Sequence, residues 1–237
     1  MNTLLITAVR VIAGPADRVT ADGAVLVDES TGAVSAVGPA AELDATVDPQ
    51  VPRLRCPGAT VLPGMTDCHV HLAFDSGPDP IGTTAQATPA ELSAGMAERA
   101  RQLLTAGVTT LRDLGDRDAL AVSLRSAITS GALPGPRILT ATAPLTSHGG
   151  HCGFLGGEVT TDDDIRARIA HNASLGADVI TTMTRNFSPC AVTLGRSIQT
   201  GRSAWRRSRR SRAVKEAVLI DRPPARRGGV RPCSRGR

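Results

Sequence analysis

Tyrosine is absent from this chain, tryptophan occurs once and phenylalanine three times, so a core must rest on Val, Leu, Ile and Ala. Lysine is nearly absent too, with Lys215 the one example. No apolar run approaches the ~20 residues that a membrane-spanning helix needs, which argues against an integral membrane protein. The opening MNTLLITAVRVIAG carries no basic residue ahead of its short apolar run and no cleavage site, so a secretory signal is not expected. Five cysteines, at 56, 68, 152, 190 and 233, show neither CxxC spacing nor an even framework. They read as free thiols of a reducing cytoplasm.

What is present divides the chain in two. Apolar residues make up 41% of the 237, enough for a packed core. Residues 1–183 hold 12 arginines against 20 carboxylates, a net −8. Residues 184–237 hold 14 arginines and Lys215 against Glu216 and Asp221, a net +13. The overall charge of +5 averages a mildly acidic body and a strongly basic tail.

Residues 1–57 read as a small β subdomain. LLITAVRVI (4–12) and GAVLVDESTGAVSAVG (23–38) are Val/Ala/Leu-rich runs, the second folded about ESTG as a hairpin. From 58 to 183 strands alternate with helices. The strands are ATVLPGMTDCHVHL (59–72), VTTLRD (108–113), RILTAT (137–142) and ADVITTM (177–183); the helices are 88–107, 118–131 and 161–176. Thr88 caps the first helix, Pro89 takes its first position and Glu91 completes a capping box. Leu92, Met96, Ala100, Leu103 and Leu104 form its buried stripe. Leu120, Leu124 and Ile128 face inward from the second helix, and Thr161 caps the third. Such alternation implies parallel strands with helices outside them, in a doubly wound sheet or a (β/α)8 barrel. Beyond Met183 no period is sustained and RRSRRSR (206–212) is low complexity. Residues 184–237 are therefore expected to be a disordered basic tail, with two helical turns at AVKEAVLI (213–220).

GMTDCHVHL (64–72) carries the chemistry. Side chains two apart on a strand share a face, so Asp67, His69 and His71 line up. Paired imidazoles begin a metal site without finishing it, because a catalytic zinc takes about three protein ligands and an open position. Histidines at the outgoing end of a strand favour the barrel, whose active sites sit at that face. The glycine-rich loop SHGGHCGFLGG (147–157) adds His148 and His151 where substrate contact is expected. Its glycines do not open a helix, which argues against phosphate binding. His171 falls opposite Ile165 and Ile169, as a surface residue. Cys68 and Cys152 read as small buried thiols, and Asp113 ends the second strand, facing the pocket or capping a loop.

LPGMTDCHVHL (62–72), GVTTLRDLG (107–115), GGHCGF (149–154) and LGADVI (175–180) together resemble the metal-dependent amidohydrolases. The likeness is to the imidazolonepropionase-like and Xaa-Pro dipeptidase-like branch, over about residues 3–183. It implies an α/β fold: a partial (β/α)8 TIM-type barrel of about four βα units at 58–183, after an N-terminal β-sandwich subdomain at 1–57. It also implies a hydrolase of C–N bonds in a small-molecule substrate, a cyclic amide or a dipeptide-like compound. One or two divalent metal ions, zinc foremost, would sit in the barrel mouth and turn water into a nucleophile while polarising the carbonyl. An aspartate from the eighth strand would shuttle the proton. His69 and His71 match the paired metal ligands, Asp67 matches a supporting position that orients an imidazole through its second nitrogen, and His151 matches a substrate-binding loop residue.

The remaining family positions do not transfer. Thr181 stands where the related pattern VIKVM has its bridging lysine, none of the five histidines lies after His171, and the general-base aspartate has no counterpart. The chain thus reads as the N-terminal half of such an enzyme, inactive as written. The abrupt change near 181–186 suggests a shifted reading frame; a downstream gene with no further histidines or aspartate in its other two frames would exclude that. A different class of reading is a non-catalytic barrel fragment whose arginines neutralise phosphates and bind nucleic acid without sequence preference. Four βα units also leave open strand edges through which copies of the chain would self-associate.

Overall fold

A computed structural model describes residues 3–14 and 18–183, together with the backbone of 217–220. The readings placed on the rest of the tail lie outside the described residues. The architecture is mixed α/β, and the chain divides into two compact units between Pro63 and Gly64. No helix among the described residues is long and apolar enough to cross a membrane.

In the first unit β1 (Thr3–Ile12), β2 (Val19–Asp28) and β3 (Ala33–Pro39) are followed by a short helix, α1 (Ala40–Thr46), and by β4 (Arg53–Pro63). β2 pairs antiparallel with β1 and β3, and β4 runs parallel to β1 on its other side. The strand Ala217–Ile220 lies outside β4 and completes a five-stranded sheet. It is extended where helical turns are expected. The ESTG hairpin forms because Asp28 Oδ1 accepts the Ser30 amide at 2.9 Å and the Thr31 amide at 3.3 Å, and Gly32 turns the chain at φ +70°. Leu5, Val11, Ala24, Val25 and Val61 are buried in this sheet. The unit shows this one sheet among the described residues, where the resemblance implies a composite sandwich.

The second unit runs β5 (Met65–Val70), α2 (Pro80–Gln86), α3 (Pro89–Thr105), β6 (Val108–Asp113), α4 (Leu120–Thr129) and β7 (Arg137–Thr140). The two-residue strands β8 (Thr146–Ser147) and β9 (Glu158–Val159) then flank a 3-10 turn, before α5 (Asp162–Ser174). β5, β6 and β7 form a parallel sheet in that order. α3 starts as its sequence dictates: Thr88 Oγ1 accepts the Glu91 amide, and the Glu91 carboxylate accepts the Thr88 amide at 2.8 Å. Leu92, Met96 and Ala100 of α3 are buried with Ala121, Leu124 and Ile128 of α4, against Leu111, Ile138 and Leu72 from the sheet side.

Two boundaries differ from expectation. The strand read at 59–72 is two strands, the end of β4 and then β5. Pro63 has no amide to continue a ladder, and Gly64 packs so closely that a Cβ there would stand 2.1 Å from Thr109 Oγ1. The fourth strand, read at 177–183, is present in pieces. The amides of Asp178 and Val179 reach Thr140 O at 2.8 and 3.3 Å, and Leu145 makes an isolated parallel bridge with Thr182. A continuous ladder is not possible there because Thr142, with φ +57°, turns β7 out of extended geometry.

Candidate functional site

Parallel strands leave a sheet at one edge, so the segments after β5, β6 and β7 gather there. Between the pairs Asp67–Leu111 and Val70–Asp113, β5 places two residues, Cys68 and His69, opposite the single Arg112 of β6, which is a bulge. Arg112 Nε takes the Cys68 carbonyl at 2.7 Å in this stretch and satisfies a group the ladder has released. Simple alternation therefore does not run through His69. The two imidazoles still meet: exposed His69, and half-buried His71 just past the strand, have ring centroids 5.4 Å apart at 66°. Asp67 Oδ1 accepts the His69 backbone amide at 3.0 Å, a bond to main chain and not to the ring nitrogen expected.

His71 Nδ1 lies 3.3 Å from the Gly115 carbonyl oxygen. A carbonyl only accepts, so this bond puts the ring proton on Nδ1 and leaves the Nε2 lone pair free. Burial holds the His71 pKa below the usual histidine range; the Gly115 bond opposes this, and charge on His69 or His151 adds to it. His151 thus stands within electrostatic reach of His71. Its loop also brings the Phe154 ring to 6.3 Å from Phe74, which is itself 5.3 Å from His71. At the loop's base a Cβ on Gly157 would lie 1.9 Å from the Pro144 carbonyl oxygen, so only glycine fits.

Beneath the histidines are two fully buried carboxylates. Asp113, at the end of β6, accepts the Leu72 amide at 2.9 Å and the Gly115 amide at 3.0 Å. Burial, helped by the charge of Asp116, pushes its pKa up to about 7 against those two bonds. Asp116 accepts the Ala121 amide near the start of α4, and burial first, then Asp118, raises its pKa to about 6. Neither role was legible in sequence beyond the position of Asp113 at a strand end, and the rings of Phe74 and Phe154 carried no signal there.

The other candidates scatter. His148 pairs with Glu158 at 3.2 Å on the surface, and His171 is exposed on α5. Cys152 is buried as expected, but Cys68 is exposed, because it sits in the bulged outer strand of the three-stranded sheet. Thr181 offers its carbonyl to the Leu145 amide. A cleft of about 490 Å³ lies between α3 and the segment before it, lined by Asp75, Thr84, Leu92 and Arg99 among others and by no histidine. Among the described residues, no three His, Cys, Asp or Glu side chains are arranged to hold a metal ion. Among the described residues two imidazoles meet, one with its tautomer fixed, and no third ligand joins them. A complete zinc centre does not fit this donor set.

Residues 60–193 match the sequence profile of the amidohydrolase family. Among solved structures, a Xaa-Pro dipeptidase with bound methionine aligns at a TM-score of 0.65 and 26% identity, over 75% of this chain and 46% of that one. A prolidase complexed with N-methylphosphonate-L-proline aligns at 0.61 and 23%, over 76% and 46%. The ochratoxinase of A. niger aligns at 0.62 and 20%, over 79% and 51%. The chain thus spans about half the length of these proteins, and no curated protein matches its sequence. With more than half of its residues inside the family's profile and its fold shared with prolidase-like members, the chain belongs to the amidohydrolase family.

Proposed function

We propose that this chain carries the entry half of a metal-dependent hydrolytic site acting on C–N bonds of a small cyclic amide or dipeptide-like substrate. In this reading β5, β6, β7 and the 177–183 segment are the first four strands of a (β/α)8 barrel. His69 and His71 are two ligands for a divalent ion, zinc by their nitrogen donors. Asp67 supports His69 through its amide, and His151 contacts substrate. The observation that carries the reading is the meeting of His69 and His71 at the strand ends, with His71 anchored through Nδ1 so that Nε2 is the free donor. A dipeptide-like substrate is supported by the names of the similar dipeptidase and prolidase structures. A cytoplasmic location is supported by the free thiols of Cys56, Cys68 and Cys152.

With no third ligand among the described residues, the chain by itself is expected neither to retain zinc nor to hydrolyse. Metal analysis after dialysis of the full chain is expected to find well under one zinc per chain. Assays on an Xaa-Pro dipeptide are expected to show no turnover above buffer. One zinc held per chain, with turnover, would overturn the half-site reading.

A further inference from the structure

The bonds around His71 converge on one side chain. Leu72 directly follows His71, and its amide donates to Asp113 Oδ2 at 2.9 Å. Gly115 holds the ring through its carbonyl, and its own amide donates to Asp113 Oδ1 at 3.0 Å. One buried carboxylate therefore fixes the peptide leaving His71 and the amide of Gly115, the residue whose carbonyl grips the imidazole. We propose that Asp113 is the positioning residue of this site: it sets the place and tautomer of His71 from beneath, without touching the ring.

Three observations favour this role over ordinary core satisfaction. The two oxygens divide their work, one to each strand end, across 41 residues in one case and two in the other. Gly115 packs tightly on the ring, since a Cβ there would lie 3.3 Å from His71 Nδ1 and 3.1 Å from Pro144 Cγ and would press on both. Arg99 secures the same residue through its other backbone group, donating to the Leu72 carbonyl at 2.6 Å. Ionised aspartate is acceptor-only and suits two converging N–H donors; asparagine of the same shape would turn an NH2 towards one of them and lose that bond.

The inference rests on the reading of His71 as a site imidazole, and the test separates the two. Full-length chain uniformly labelled with 15N and 13C is compared by NMR above neutral pH as wild type, D113N and T84V. The last is a control that removes another buried bond, Thr84 Oγ1 to the Ala73 carbonyl at 2.9 Å. Wild type and T84V are expected to hold the His71 proton on Nδ1. D113N is expected to mix the two tautomers, with Leu72 or Gly115 amide exchange at least about fivefold faster. A wild-type His71 protonated on Nε2, or a D113N spectrum and exchange like wild type, overturns the proposal. Should D113N not fold, couplings across the hydrogen bonds from the Leu72 and Gly115 nitrogens to the Asp113 carboxyl carbon in wild type decide the matter, and their absence overturns it. Zinc ion added to wild type is expected to shift His69 and His71 together. If it leaves both unmoved while the D113N effect stands, the hydrolytic reading fails and the positioning role survives.

Discussion

Asp113 sits where an ionised carboxylate is least welcome, fully buried three residues before a second buried acid, Asp116. With its pKa raised to about 7, and an unfolded value of about 3.9, the native state keeps a proton that the unfolded chain has already released between those limits. Native binding of the extra proton means that stability falls as pH rises through this window. Asp116, raised to about 6, acts in the same direction. His71 acts in the opposite one, because its lowered pKa costs stability as pH drops below the usual histidine range. Subtracting one profile from the other isolates Asp113. Relative to D113N, wild-type stability from urea unfolding should decline between about pH 4 and pH 7, by an amount on the order of a few kcal/mol. A flat difference would show that the acid is not titrating in that range. At this scale His69 and His71 were legible because two residues in a short motif name them. Asp113 was visible only as the end of a strand, since its decisive partner, Leu72, is 41 residues away.

Elements were legible where local chemistry sets them. α3 begins at its capping box and buries Leu92, Met96 and Ala100 at helical spacing, all properties of neighbouring residues. Its end is marked by Gly107, with φ +96°. Thr88→Ala removes the cap and should cost about 1 kcal/mol, while Met96→Ala, emptying a fully buried site, should cost about 2–5 kcal/mol. Urea midpoints with unchanged slopes would check both, and equal losses would mean that α3 is not seated on the core as described. What could not be read locally was strand continuity. The apolar run 59–72 gives no sign that Pro63 and Gly64 divide it between two sheets. Nothing in RILTAT foretells that Thr142 turns left-handed and interrupts pairing with the next segment.

For the molecule as a whole, strand pairing decides more than composition. Its second unit shows three paired strands and the pieces of a fourth, and among the described residues β5 has a strand neighbour on one side only. An open edge of this kind presents unpaired amides and carbonyls to any compatible strand. We therefore propose self-association: size-exclusion chromatography with light scattering should give a dimer at micromolar concentration. A monodisperse, folded monomer would count against it. The family and the α/β class were visible in the whole sequence because four separated motifs agree. That no histidine follows His171 was plain in the sequence as well.

Of Cys56, Cys68 and Cys152, Cys68 alone faces solvent, one position before His69 on the outer strand. A thiol-reactive fluorophore attached there would stand beside the imidazoles without replacing either. Once Cys190 and Cys233 are exchanged for serine, the molecule supplies its own anchor for an optical reporter of whatever docks at the strand ends.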